Sequence, residues 1–336
     1  MKNKNVFALS IVIALAAYGL AACSPASPKL IAEPQITFEK IDDKTNDLAR
    51  RPSVDILFVV DDSASMENHQ ANLANNIDLF VDEFSKLKVI DYHIGVISTS
   101  ADDSGGLRGY PKYVEASTLD GAAFLKKNIK LGTNGSGTEQ MFDPVTRALS
   151  PYMIGGINSG FYRQDAYLIV IFISDAEDQS YIYDPNTFMN FVVNLKGSKD
   201  KILSYGAIIP SGADTTDCAR DQWDEPKRTE DYLGLNINAG RNVVWLCDPQ
   251  FGSKLVEFSK EIVKTVNKPI ILSRVPIVST IKIMFGTQEI ISDPVIGWYF
   301  DVKQNAIIFG EKLVIDESQP KGTKLSITFD AANFGK

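Results

Sequence analysis

Asp61-Asp62-Ser63-Ala64-Ser65 puts a carboxylate and two hydroxyls at alternate positions just beyond the apolar run 54–60. Farther along, Gly132-Thr-Asn-Gly-Ser-Gly-Thr138 follows Leu131, and Ser174-Asp175-Ala-Glu-Asp-Gln-Ser180 follows the apolar run 167–173. All of these side chains offer hard oxygen donors, which suit Mg²⁺, Mn²⁺ or Ca²⁺ rather than zinc or copper. In a tight strand-to-helix turn, residues 61, 63 and 65 can face one centre, the hydroxyls supplying neutral ligands. Ser63 or Ser65 ahead of Glu67 also fits a helix N-cap, a common and purely structural role. Position favours the ligand reading: in an open α/β sheet, ligands bind beyond the carboxyl ends of the strands.

Such a site needs strands that end together. Residues 54–60 (VDILFVV), 93–98 (HIGVIS), 167–173 (YLIVIFI) and 202–209 (ILSYGAII) are near-continuous apolar runs, the pattern of strands covered on both faces. A short strand is expected over 243–246. Leu73, Ile77, Phe80, Val81, Phe84 and Leu87 make one helical stripe, and helices are also expected over 139–149, 187–195 and 253–266. Strand and helix in alternation predict a doubly wound, mostly parallel, Rossmann-like α/β sheet. After Asn267 the period changes to two. Runs at 280–285, 297–301, 306–309 and 323–329, with turn residues between them, predict a small antiparallel β-domain over 268–336.

At Arg51 to Met66 (RPSVDILFVVDDSASM) the chain resembles the start of a von Willebrand factor A domain, and the likeness extends over 51–267. That family's metal-ion-dependent adhesion site uses an Asp-x-Ser-x-Ser turn, a distant Thr and a distant Asp. The resemblance implies Asp61, Ser63 and Ser65 for the turn, Thr138 for the threonine with Thr133 as the alternative, and Asp175 for the distant aspartate. It further implies one divalent cation, Mg²⁺ first, with an open position filled by a Glu or Asp carboxylate of a protein partner. Residues 161–167 (FYRQDAY) and a Cys218/Cys247 pair around the short strand are similar to bacterial lipoproteins of this kind. The loop 99–113 leaves the second strand on the same edge and is expected to help read the partner; a plain surface loop is the alternative.

The first 22 residues carry Lys2 and Lys4, then an apolar stretch, and end in Leu20-Ala21-Ala22-Cys23, which resembles the lipobox of bacterial lipoproteins. Cleavage would leave a lipidated Cys23, a tether over 23–50 and, with Ser24 next, an outer-membrane address in the cell envelope. Removing Lys2 and Lys4 from 34 basic against 42 acidic residues leaves a mature chain near −10, so there is no basic footprint for nucleic acid. Export to an oxidising compartment predicts that Cys218 and Cys247 pair, two buried thiols being the alternative.

Several other motifs are excluded. Met66 and Asn72 stand where an EF-hand loop needs Gly and Glu, and Thr138 stands where a phosphate loop needs Lys. No Gly-x-Ser-x-Gly elbow occurs. His69, four residues after Ser65, is expected to be packed or solvated, and Trp298 to belong to the core of the β-domain. The expectation is a lipid-anchored protein that binds a protein partner through a cation and is not an enzyme. A scaffold subunit of an envelope complex and an unrecognised enzyme are the alternatives.

Overall fold

The computed structural model describes residues 52–86, 90–209, 227–236, 238, 242–310, 312–316, 318–320 and 323–332. The expected leader and tether, Cys23 with its expected lipidation, and Cys218, and with it the expected pairing to Cys247, lie outside these residues.

Six strands form the main sheet: β1 (Ser53–Val60), β2 (Asp91–Ser98), β3 (Tyr113–Glu115), β4 (Tyr167–Ile173), β5 (Ile202–Ile208) and β6 (Val243–Trp245). Their order is β3-β2-β1-β4-β5-β6. β1 pairs in parallel with β2 and β4, β5 continues in parallel beside β4, and β6 beside β5. β3 runs antiparallel at one edge. Val60 is opposite Ser98 on one side and Ile173 on the other, so β1, β2 and β4 end flush. Chain direction around the sheet reverses at β1 and β4, which makes the space beyond their ends a switch point.

Seven helices accompany the sheet among the described residues: α1 (Glu67–Lys86), α2 (Gly121–Asn128), α3 (Phe142–Ala148), α4 (Pro151–Ile154), α5 (Pro185–Lys196), α6 (Lys227–Gly234) and α7 (Phe251–Val266). The side-chain alternation of β1 sorts them into two layers. Val54, Ile56, Phe58 and Val60 share a buried cluster with Leu73, Ile77 and Phe80 of α1 and with Phe251, Leu255 and Phe258 of α7. Leu57 and Val59 share the opposite cluster with Phe142 and Val145 of α3, Phe188 and Val192 of α5, and Tyr232 of α6. Cover on both faces is why β1, but for Asp55, and β4 read as near-continuous apolar runs. α5 starts where Asp184 and Thr187 form a reciprocal capping box ahead of Pro185, and it stops at Gly197 with φ +71°.

Toward the C-terminus lie two antiparallel three-stranded sheets. β7 (Ile270–Ile271), β10 (Trp298–Asp301) and β11 (Ala306–Phe309) form one; β8 (Lys282–Phe285), β9 (Gln288–Ile290) and β12 (Leu325–Thr328) form the other. Leu325 and Ile327 are buried while Ser326 and Thr328 are exposed, the expected period of two. Ile283, Phe285, Trp298 and Ile307 join the cluster that contains α1 and α7, so this part of the chain shares a core with one face of the main sheet. Trp298 is 3% exposed and its Nε1 donates to the Ile290 carbonyl at 2.9 Å, the core role expected for it.

The architecture is the α/β class expected. The helix expected over 139–149 begins instead at Phe142. Glu139 pairs with Ser100 in an isolated antiparallel bridge, and the turn after β4 takes the helix's first N–H groups: Met141 N donates to Asp178 Oδ1 at 2.7 Å, and Phe142 N and Asp143 N donate to Ser180 Oγ at 3.1 and 3.0 Å. β3, α2, α4, α6, β7 and β9 are additions to the elements expected from sequence. No helix among the described residues is long and apolar enough to cross a membrane.

Candidate functional site

The chain leaves β1 at Asp61, whose N–H still donates to the Ile173 carbonyl of β4 at 2.9 Å. Asp61 is fully buried. Its Oδ1 accepts from Ser63 N at 2.8 Å, which closes the turn, and its Oδ2 accepts from Ser174 Oγ at 2.6 Å. A short 3₁₀ turn, Ala64–Met66, then leads into α1. Ser63 occupies the N-cap position of that turn, yet its side chain caps no N–H. Its hydroxyl instead lies 3.0 Å from Ser65 Oγ, and Ser65 Oγ donates to Asp175 Oδ1 at 3.1 Å. The alternative of a plain N-cap therefore does not describe Ser63.

Burial pushes the Asp61 carboxyl up to about 6, and the nearby charge of Asp175 adds to the rise; the Ser174 and Ser63 hydrogen bonds oppose it. Two carboxylates thus converge where one of them is already costly to ionise. Oxygen donors from two strand ends, with like charges drawn together, fit a small divalent cation. Asp61, Ser63, Ser65 and Asp175 are the residues that would hold it.

Thr138 sits differently. It is half-buried; its N–H donates to Ser136 Oγ at 3.1 Å and its carbonyl accepts from Ala101 N at 3.1 Å, but it makes no hydrogen bond to the other four. The bridge between Ser100 and Glu139 docks this end of the loop on the exit of β2. Thr133, the alternative, is half-buried in the same loop. The loop as a whole is pinned against the turn. Gln70 Nε2 donates to the Asp61 carbonyl at 2.6 Å and to the Gly132 carbonyl at 2.8 Å, while Gly132 N donates back to Gln70 Oε1 at 3.1 Å. Gly135 N donates to the Asp62 carbonyl at 2.8 Å, so close that a Cβ on Gly135 would lie 2.2 Å from Asp62 Oδ1.

Three positioning residues lay outside the sequence reading. Ser174 was visible only as the residue before Asp175. Gln70 carried no signal, since nothing in a helical stripe marks the residue that will reach a distant loop. Ser98 ends β2 and donates to Asp62 Oδ1 at 2.7 Å. The turn after β4 is braced by Arg228, whose guanidinium donates to the carbonyls of Asp178, Ser180 and Tyr183. His69 packs edge-on against Phe251, and burial lowers its pKa.

No family model matches this chain, and no curated protein matches it in sequence. Among solved structures it is similar to proximal thread matrix protein 1 from the mussel byssus, at 16% identity and a TM-score of 0.42 over 62% of this chain and 48% of that one. It is also similar to the same mussel protein with a zinc-occupied MIDAS motif, at 15% identity and a TM-score of 0.42 over 63% and 48%. A third similar structure is the pilus adhesin SpaC from Lactobacillus rhamnosus GG, at 10% identity and a TM-score of 0.41 over 82% and 39%. The chain spans less than half the length of each of these proteins.

Proposed function

We propose that this chain is a lipid-anchored protein of the bacterial cell envelope, tethered by Cys23 to the outer membrane, that binds a protein partner through a divalent cation. The reading assigns it a von Willebrand factor A-type site and no catalytic role. One observation carries it: the linked side chains Ser63, Ser65 and Asp175 gather beside buried Asp61 at the switch point of the sheet. The cation, Mg²⁺ first with Mn²⁺ or Ca²⁺ as alternatives, supplies an open coordination position for a partner's Glu or Asp carboxylate. In this chain Asp61 and Asp175 provide the negative charge, Ser63 and Ser65 provide neutral oxygens, and Thr138 is the candidate fifth donor. Ser174 and Gln70 hold Asp61 in place.

Because the cation binds the folded chain and not the unfolded one, it stabilises the fold. At one hundred times its dissociation constant the gain is about 2.7 kcal/mol, which corresponds to roughly 5–10 °C at about 2–4 °C per kcal/mol for a chain of this size class. Thermal melts of the chelator-stripped mature chain test this. A rise with Mg²⁺, Mn²⁺ or Ca²⁺ that is lost in Asp61→Ala is expected, and no rise with any of the three refutes the reading. Crosslinking on intact cells, with Mg²⁺ and with EDTA, tests the partner. Capture that survives EDTA would instead favour a permanent scaffold.

A further inference from the structure

Next to Asp62 an open cleft of about 750 Å³ runs between the β2–β3 loop and the loop that carries Gly135. Asp62 belongs to both places. It follows Asp61 in the turn, it accepts the Ser98 hydroxyl and Gly135 N, and it lines the cleft. The outer wall is built rather than loose. Arg108 N donates to the Val96 carbonyl at 2.8 Å. The amide of buried Asn158 accepts from Leu107 N at 2.9 Å and donates to the Gly105 carbonyl at 2.8 Å.

The charges that this wall turns outward are unequal. Asp103 is spent internally: Oδ1 accepts from Gly105 N at 2.7 Å, Oδ2 pairs with Arg108, and its side chain is 6% exposed. The Arg108 side chain is 42% exposed. Lys112 is exposed and uses one N–H on the Leu107 carbonyl at 2.8 Å, which leaves two for another group. Exposed Asp102 and the largely buried Asp62 are the opposing carboxylates in the lining. Ile157, 57% exposed, adds an apolar surface to the lining.

We infer that this cleft reads a second acidic group on the partner: Arg108 and Lys112 receive a carboxylate a few residues away in sequence from the one that reaches the cation, with an apolar side chain against Ile157. The inference rests on the cation reading and adds to it the class of partner, an acidic peptide segment with two carboxylates. Arg108 and Lys112 act as specificity determinants, and the cation site does not depend on them.

The probe is a set of acetylated glycine–serine decapeptides with one fixed Glu and a second position, about two to six residues away, filled by Glu, Ala or Lys. Binding is measured to the mature chain in Mg²⁺ and in EDTA. At one spacing or more, the Glu–Glu peptide binds about fivefold tighter than Glu–Ala, the size of one exposed charge pair, and Glu–Lys binds weakest. In Arg108→Ala/Lys112→Ala that preference falls to within about twofold, while the EDTA-sensitive binding of Glu–Ala and the Mg²⁺-induced rise in Tm persist. Lys112→Ala alone keeps the Arg108–Asp103 pair intact and reduces the preference in part. The inference is overturned if wild type shows no preference, if the double variant keeps it, or if no acidic peptide binds. In those cases a persisting Mg²⁺-induced rise in Tm leaves the cation reading standing, whereas loss of that rise refutes both.

Discussion

Asp55→Asn tests whether the opposite end of the central strand β1 is held by charge. Asp55 is fully buried at the start of β1. Its Oδ2 accepts from Arg163 N at 2.7 Å and its Oδ1 from Arg163 Nε at 2.8 Å, while Lys196 Nζ lies 3.5 Å from Oδ2. The Lys196 side chain is wholly buried, donates to the Arg163 carbonyl at 2.6 Å and sits 4.1 Å over the Tyr162 ring. Burial lowers its pKa to about 8 although Asp55 pulls the other way. Asparagine keeps the shape but removes the counter-charge, leaving a buried ammonium uncompensated, which costs about 3–5 kcal/mol. At about 2–4 °C per kcal/mol, Tm should fall by roughly 6–20 °C. Arg163 is less exposed to this loss because Nη1 also pairs with Asp91 at 2.7 Å. Asp55→Asn/Lys196→Met removes both buried charges and should recover at least half of the drop. The assay is a thermal melt by circular dichroism at pH 7 in EDTA, repeated with Mg²⁺. Asp55 lies six residues before Asp61 along a strand, about 20 Å away, so the Mg²⁺-induced rise should be unchanged. A single variant within about 2 °C of wild type, or a double variant no better than the single, refutes the argument.

Gly135→Ala should destabilise by about 1–3 kcal/mol and weaken Mg²⁺ stabilisation, because its Cβ would meet Asp62 Oδ1 at 2.2 Å and the Asp62 carbonyl at 2.8 Å. Gly137→Ala in the same loop meets nothing within 4 Å and should change Tm little; equal effects of the two in melts would refute the docking of this loop. Burial and the charge of Arg163 hold the His93 pKa below its ordinary value against the pull of Asp55 and Asp91, with Glu115 Oε2 also 3.5 Å from Nε2. Below pH about 6.5 the unfolded chain therefore takes up a proton that the folded chain refuses, and stability falls as pH drops, by up to about 1.4 kcal/mol per pH unit between the two values. Urea titrations at pH 7 and 5.5 should show a smaller loss in His93→Gln than in wild type, and an equal loss would refute the assignment.

The parts of the fold that the sequence makes legible are those decided locally or by burial on two faces. Ile169 to Ile173 has no exposed side, so hydrophobicity alone marks it. Leu73, Ile77 and Phe80 repeat at the period of the helix they form. β3 spans three residues and takes its identity from pairing with β2. α2 reads GAAFLKKN and follows Asp120 at φ +55°, a conformation that no local apolar pattern announces. The start of α3 is set by Asp178 and Ser180, which lie more than thirty residues away. The site divides in the same way. The Asp61–Ser65 turn and Asp175 stand at strand ends and are readable there; Ser174 and Gln70 work through contacts that only the folded chain creates, and Thr138 is positioned by the bridge of its neighbour Glu139 to Ser100.

The sheet carries a buried aspartate near each end of β1, and the chain treats the two in opposite ways. At Asp55 it delivers Arg163 and Lys196, so the negative charge is matched from within. At Asp61 it delivers a hydroxyl and a backbone N–H, then brings Asp175 within reach, and the carboxyl is held at about 6. A fold that needed only stability would be better served by a basic residue at the second place, as it has at the first, because burying a carboxylate beside another is unfavourable. An unmatched buried charge of this kind is what the proposed cation would neutralise. Ser65 is exposed while Asp61, Ser63 and Asp175 are buried, so the cluster opens to solvent on one side.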